Sequence, residues 1–297
     1  RVGRGPQAAV AFSPDGKLVA VGSLALVRVF DVDSGAEAFK VDRASDGGLA
    51  HHIAFSPDGR LLVFGTTGTA GGVEVWELAT RTQVRRFATG YGETTRLGVL
   101  PGGDRFASAG GEETVTVWEL TPAQAKAPSK NELRAAWDAL DAPDGAVGFP
   151  AAKRLGSAGA GGAEVLAEGV KELLAAQKKI NGWVEDLGSA SFTVREVAAK
   201  ELVSQGARAL PAVTAASKGD NPDRRDHALE VLRKLEAKNI EVPEHGLTSD
   251  TLRLVRAVQS LEDIGTTSAK ELLGQIAATA PGRASDEAKA ALARMGK

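Results

Sequence analysis

An internal repeat constrains this chain more than any local propensity does. The segment Ala11-Phe12-Ser13-Pro14-Asp15-Gly16-Lys17-Leu18 returns 43 residues on as Ala54-Phe55-Ser56-Pro57-Asp58-Gly59-Arg60-Leu61. A degraded copy, Val99-Leu100-Pro101-Gly102-Gly103-Asp104-Arg105-Phe106, follows 45 residues after that. Ser-Pro-Asp-Gly forms a tight turn, because Pro presets φ and Gly accepts a positive one, so each copy reads as the link between two strands. Short β-branched runs at 17–21, 27–30, 61–64, 72–76 and 114–118 supply the strands. The third run of each copy ends on an aromatic and an acid: Phe30-Asp31, Trp76-Glu77 and Trp118-Glu119.

A period of about 40 to 45 residues with four short strands per unit is the signature of propeller blades. The terminal aromatic is then expected to fill the gap between one twisted sheet and the next. The runs AFSPDGKLVAVGS…VRVFD and AFSPDGRLLVFG…VEVWE resemble the WD-repeat family of β-propellers over about residues 8–120. That resemblance implies a hydrogen-bonded tetrad built on a Gly-His dipeptide and a turn Asp. Here Leu24, Ala70 and Glu112 stand at the Asp positions and no Gly-His precedes any repeat, so the expectation is blade shape without the tetrad. Three blades cannot close a ring, since known rings use about four to eight. The third repeat also stops at its third strand, and the family commonly completes its last blade with a strand from the N-terminal end. Together with the opening Arg1 and the single Met295, this reads as a fragment. The missing blades are expected from chain upstream of Arg1 or from a second copy.

Beyond Leu120 the period becomes helical, with apolar residues three and four apart. The division is therefore a partial WD-repeat β-propeller over 1–120, a linker over 121–130 carrying Pro122 and Pro128, and an α-helical domain over 131–297. The fold class is multidomain β plus α. Thr193 and Glu196 fit a capping box that opens a helix with Val194, Val197, Ala198 and Leu202 inward. Pro211 opens a short helix, and Asn221-Pro222 opens one with Ala228, Val231, Leu232 and Leu235 on its inner face. Leu254, Val255, Val258 and Leu261 form a further stripe, stopped at Gly265. A second box at Ser268 and Glu271 precedes Leu272, Leu273 and Ile276, and Ser285 is expected to cap the last helix. Residues 183–196, with 252–257 and 260–266, resemble the helical segment of bacterial WD-repeat proteins that carry a HEAT-like C-terminal domain. The resemblance implies a modular protein with further domains upstream.

Composition narrows the chemistry. Thirty-six Lys plus Arg against 38 Asp plus Glu leave a net charge of -2, which offers no general attraction to nucleic acid or an anionic membrane. Without cysteine there are no thiolate metal sites and no thiol catalysis. The Gly-rich run 156–162 lacks a preceding strand and a following Gly-Lys-Ser/Thr, so it reads as a flexible inter-helix turn. His51 and His52 point to opposite faces of a strand and cannot chelate one metal together, while His227 and His245 read as surface residues. Asp15, Asp58 and Asp104 belong to turns. Lys178-Lys179 and Arg224-Arg225 read as solvated faces, and Trp137 and Trp183 as packing residues. No catalytic, cofactor or metal residues are assigned.

The expectation is a cytoplasmic, non-enzymatic scaffold for protein partners, with no nucleic-acid or membrane role. Its contact residues would be Tyr91, Glu93, Arg96, Glu112 and Glu113, on the loops between blades and between second and third strands. The alternative is the C-terminal regulatory portion of a larger enzyme or transcription regulator whose active domain lies upstream of residue 1.

Overall fold

The computed structural model describes residues 7–23, 26–42, 50–67, 71–89, 94–101, 103–110, 114–121, 126–238, 240 and 245–296. It divides into two units, Arg1–Ala125 with Asp144–Ala146, and Lys126–Pro143 with Val147–Lys297.

In the first unit every sheet is antiparallel with neighbouring strands adjacent in sequence. Strands β1 (Gln7–Phe12), β2 (Leu18–Ser23), β3 (Leu26–Asp31) and β4 (Glu37–Asp42) form one sheet in that order. Strands β5 (Ala50–Phe55), β6 (Leu61–Thr66), β7 (Gly72–Glu77) and β8 (Thr82–Ala88) form the next. Strands β9 (Thr94–Val99), β10 (Arg105–Gly110) and β11 (Val115–Glu119) form a three-stranded third. The repeat is preserved pair by pair. Ala11 faces Ala20, Ala54 faces Val63 and Gly98 faces Ala107 across each first hairpin. Each first strand also has a bulge at the matching place, next to Ala9, His52 and Arg96, which sharpens the local twist.

The turn explains why this register recurs. The Ser13 hydroxyl accepts from the Leu18 N–H at 2.9 Å and donates to Asp15 Oδ1 at 2.6 Å, which in turn accepts from the Lys17 N–H at 3.1 Å. Gly16 closes the turn onto the Ser13 carbonyl at 2.9 Å with φ of 73°. Burial alone would raise the Asp15 pKa, but the Ser13 hydroxyl, the Lys17 N–H and the Lys17 charge hold it below the usual carboxylate value. Ser56, Asp58 and Gly59 repeat the arrangement. The third copy corrects the 45-residue alignment by one position: Leu100 stands where Ser56 does, not where Phe55 does, yet Gly103 keeps φ at 72° and its N–H still reaches the Leu100 carbonyl. The backbone turn thus survives without its side-chain lock.

The second unit is helical: α1 (Lys130–Asp138), α2 (Gly145–Ser157), α3 (Gly159–Asp186), α4 (Phe192–Gln205), α5 (Leu210–Ala216), α6 (Pro222–Glu236), α7 (Ser249–Ile264), α8 (Thr267–Thr279) and α9 (Arg283–Met295). Several starts differ from expectation. Helix α4 begins at Phe192 after Ser191, two residues before the expected box, and no side chain caps it. Arg195 instead bonds the Ser189 and Ala190 carbonyls. Its inner face is Ala198 and Leu202, whereas Val194 and Val197 are exposed. Thr266, not Ser268, caps α8 by accepting from the Ala269 N–H. Ser285 lies inside α9, buried, and donates to the Ala277 carbonyl of α8 at 2.6 Å. For α4 and α8 a Ser/Thr-x-x-Glu spacing matched the pattern, but the first turn settled where the inward stripe could be buried. Asn221 and Pro222 open α6 as expected, with Asn221 accepting from the Arg224 N–H.

The Gly-rich run is not a flexible turn. Helix α2 continues through Ser157 and α3 starts at Gly159, whose φ of 57° makes the break. Helix α7 departs most from a single-stripe reading: it is buried from Thr251 to Leu261 apart from Arg253, on every face. Such a helix must satisfy polar groups internally. Arg256 is 1% exposed and its Nη1 donates to the carbonyls of Leu140 at 2.8 Å and Ala142 at 2.6 Å. These are the orphan acceptors at the end of the short 3-10 turn Ala139–Asp141 that follows α1. Gly148 makes room for the guanidinium, since a Cβ there would collide with Nη1. Ser260 likewise donates to the Ala152 carbonyl of α2 at 2.8 Å.

Replacing Arg256 by Met is expected to destabilise the helical unit by about 2–4 kcal/mol, because two carbonyls lose their donor. Lys234→Ala, which breaks an exposed pair with Glu230, serves as the control and is expected to change stability by less than about 0.5 kcal/mol. Denaturant unfolding followed by helical circular dichroism checks both. In the sheet unit, Ser56→Ala removes a fully buried hydroxyl and is expected to cost about 1–3 kcal/mol, read by hydrogen exchange of the Leu61 amide.

Candidate interaction surfaces

A twisted sheet with apolar residues on both faces is stable only if each face is covered, and the interior of the first unit shows how this is done. Ala20, Val27, Val29 and Val41 of the first sheet share one cluster with Phe55, Leu62 and Phe64 of the second, and Ile53 and Trp76 pack against it. Between the second and third sheets the contact is aromatic. Phe87 meets Phe106 edge-on and Trp118 at a tilt, both with ring centroids 5.1 Å apart. Each indole N–H finds an acceptor within its own blade: Glu74 for Trp76 at 3.0 Å and Ser108 for Trp118 at 2.8 Å. Arg85 lies 4.7 Å over the Phe87 ring and donates to the Leu120 carbonyl at 3.0 Å. The terminal aromatics at Trp76 and Trp118 therefore do fill a gap between sheets, but toward the preceding sheet and not the next one.

The same repeat positions are uncovered at the two ends. Phe55 is 8% exposed, but its equivalent in the first sheet, Phe12, is 63% exposed, with Val10 beside it at 60%. Val27, Val29, Val73 and Val75 are all 0% exposed, yet their equivalents in the third sheet, Val115 and Val117, are 70% and 55% exposed. Two apolar faces of the kind buried inside the stack are thus open, one at each end.

The expected contact residues distribute differently. Tyr91, Glu93, Glu112 and Glu113 lie outside the described residues, as do Leu24 and Ala70. Arg96 is not on a loop but in β9, where it is exposed and its Nη1 lies 3.4 Å from His52 Nε2 on β5. Adjacent sheets meet there through a hydrogen-bonding pair that spacing within one repeat cannot reveal. His245 is buried, 7% exposed, and its Nδ1 accepts from the Leu247 N–H at 3.2 Å, correcting the surface reading. His227 holds to the Asp223 carbonyl one turn earlier in α6. Trp137 packs on Gly169 and lies 5.8 Å from the Arg253 guanidinium, and Trp183 packs against the α3–α6 core.

The helical unit offers two further surface features. A shallow cavity of about 410 Å³ is lined by Asn181 and Glu185 of α3, Ala212 of α5, Asn221 and Arg224 at the start of α6, and Thr279 of α8. Arg224 is paired with Glu185 at its wall. Phe192, Val194 and Val197 expose apolar surface on α4. Among the described residues, no group of three or more His, Cys, Asp or Glu side chains is placed to hold a metal ion, and no helix is long and apolar enough to cross a membrane.

A sequence profile of the WD domain, G-beta repeat, matches residues 5–31, which include the first three strands of the first sheet. No curated protein matches the chain. Among solved structures, one described as "Crystal structure of RRP9 WD40 repeats" is similar at 20% identity with a TM-score of 0.37, covering 40% of this chain and 37% of the other. Another, "Structure of U3-55K", is similar at 18% identity with a TM-score of 0.37 and the same coverage. This chain thus spans just over a third of the length of those structures. The profile match supports a WD-type repeat at residues 5–31, and two further antiparallel sheets repeat its strand order.

Because Phe106 is 1% exposed and joins two sheets, Phe106→Ala is expected to cost about 3–5 kcal/mol and to lower the unfolding midpoint of the sheet unit. Loss of the Trp118 near-ultraviolet signal at lower denaturant would register it.

Proposed function

We propose that this chain is a non-catalytic protein–protein interaction scaffold, in which WD-type blades and a helical module of HEAT-like kind each present surface to protein partners. The observation that carries this reading is the pair of open blade faces. Phe12 at one end, and Val115 and Val117 at the other, are exposed where their equivalents in the second sheet, Phe55, Val73 and Val75, are buried, and Val10 is exposed beside Phe12. Clustered exposed apolar side chains on a sheet face mark association surfaces, whereas isolated ones do not. The HEAT-like assignment is supported by consecutive helices packing in pairs, α5 with α6 and α8 with α9, joined by short connections. Fold alone does not assign a role, so the proposal rests on these surfaces.

The test places a photo-crosslinking residue at Val10 or Val117 of the full chain in its native cell. Covalent capture of a defined protein at these sites, with no capture from a control position such as Lys234, is the expected outcome. Equal recovery from all three positions would overturn the reading. A substrate turned over by the purified chain would do the same.

A further inference from the structure

We infer that the cavity of the helical unit receives a basic side chain, lysine or arginine, from an extended segment of a protein partner. The inference rests on the scaffold reading and gives the helical module's partner a chemistry. The cavity, of about 410 Å³, opens where three stretches of chain meet: the end of α3, the connection from α5 to α6, and the connection from α8 to α9. Its interior is apolar and built of small side chains. Val184, Ala212 and Ala280 line it as buried residues, with Ala216 and Pro281 partly buried beside them. Alanines and a proline on several sides leave room for a hydrocarbon stem that no side chain of the chain itself fills.

The charges around that interior favour a cation. Glu185 and Asp220 are the acids among the lining residues and Arg224 is the one base. Arg224 is already committed, since it is paired with Glu185. Asp220 is exposed and, among the described residues, has no ion-pair or hydrogen-bond partner. The C-terminal ends of α3 and α8 border the cavity, each carrying about half an elementary negative charge, against the single opposing N-terminus of α6. An anion would meet two carboxylates and an arginine that is already neutralised. A lysine or arginine matches both parts of the site, because its methylene stem covers apolar surface while its charged head stays at the wet rim. The source of that side chain follows from depth. Sites for free small molecules bury most of the ligand's surface, which a shallow cavity cannot do. A polypeptide needs to insert only a side chain, and the rim has groups able to hold its main chain. Asn221 spends its side-chain oxygen on the Arg224 N–H, which leaves its amide NH2 to donate, and the Thr279 hydroxyl is unbonded among the described residues.

The experiment titrates the full chain, isotope-labelled for amide NMR, with acetylated and amidated pentapeptides Ala-Ala-X-Ala-Ala in which X is lysine, arginine, norleucine or glutamate. Norleucine keeps the stem and removes the charge. The lysine and arginine peptides are expected to shift the amides of Gly219, Asp220, Asn221 and Thr279 and to bind at least about fivefold more tightly than the norleucine peptide. The glutamate peptide is expected to give no saturable shift. Asp220→Asn should weaken the lysine peptide about twofold to fivefold, the size of one exposed charge pair, and added salt should act in the same direction. Ala215→Phe, which adds bulk at a lining position, should abolish binding of every peptide. Both substituted positions are exposed, so circular dichroism of each variant should match the wild type. Equal binding of the norleucine and lysine peptides, tighter binding of the glutamate peptide, or binding indifferent to both substitutions would overturn the inference. Binding of n-butylamine as tight as that of the lysine peptide would assign the site to a free amine and overturn the polypeptide source. If no peptide gives a saturable shift up to about 10 mM while photo-crosslinking at Val10 or Val117 still captures a protein, this inference falls and the scaffold reading stands. If nothing is captured there either, both fall.

Discussion

Packing of one twisted sheet on the next is the interaction on which the sheet unit depends. A four-stranded antiparallel sheet of this size has too little area to be stable alone and carries apolar residues on both faces. The chain answers by repetition: the valines of the first sheet pack against the aromatics of the second, and the aromatics of the third sheet meet the second on its opposite face. Leu62, Phe64, Val73 and Val75 of the second sheet are wholly buried as a result. Among the described residues, Val10 and Phe12 of the first sheet and Val115 and Val117 of the third are exposed.

The helical unit is held by a different device. Helix α7 runs through its middle with Arg256, Gln259 and Ser260 buried among apolar neighbours. Arg256 and Ser260 are directed at carbonyls of the α1–α2 region, so polar groups in the core act as positional locks between helices distant in sequence. Salt bridges add to this at the periphery, as between Arg253 and Asp141 at 2.7 Å and between Arg294 and Glu262 at 2.7 Å. Partial burial makes such pairs more specific in geometry than the exposed Lys130–Glu164 pair on the surface.

Much of the fold was legible because its determinants are local. Ser-Pro-Asp-Gly marks a turn through bonds among residues two to five apart, and the strands on either side follow from alternation. Asn221-Pro222 and Gly265 mark helix ends for equally local reasons, a cap oxygen and a left-handed backbone. The capping boxes at Thr193 and Ser268 misled because several hydroxyl residues lie within one turn of each helix start. The choice among Ser191, Thr193, Thr266 and Ser268 depends on which rotation buries Ala198 or Leu272. Of the expected contact residues only Arg96 can be placed, and it belongs to a strand. The exposure of Val10, Phe12, Val115 and Val117 was not singled out beforehand, because it depends on which residues lie across a gap in space.

The sequence by itself determined the repeat, its turn chemistry, the change from a two-residue to a helical period, and the absence of thiol chemistry. Each depends on residue type and short spacing, which the chain carries in any conformation. Only the tertiary structure decided that Arg256 and His245 are buried, that Val194 and Val197 face outward, and that Val115 and Val117 are bare where Val73 and Val75 are covered. Burial is a property of what lies across a gap in space. A valine in β11 has the same local pattern as one in β7, and the two differ only in whether another sheet stands opposite.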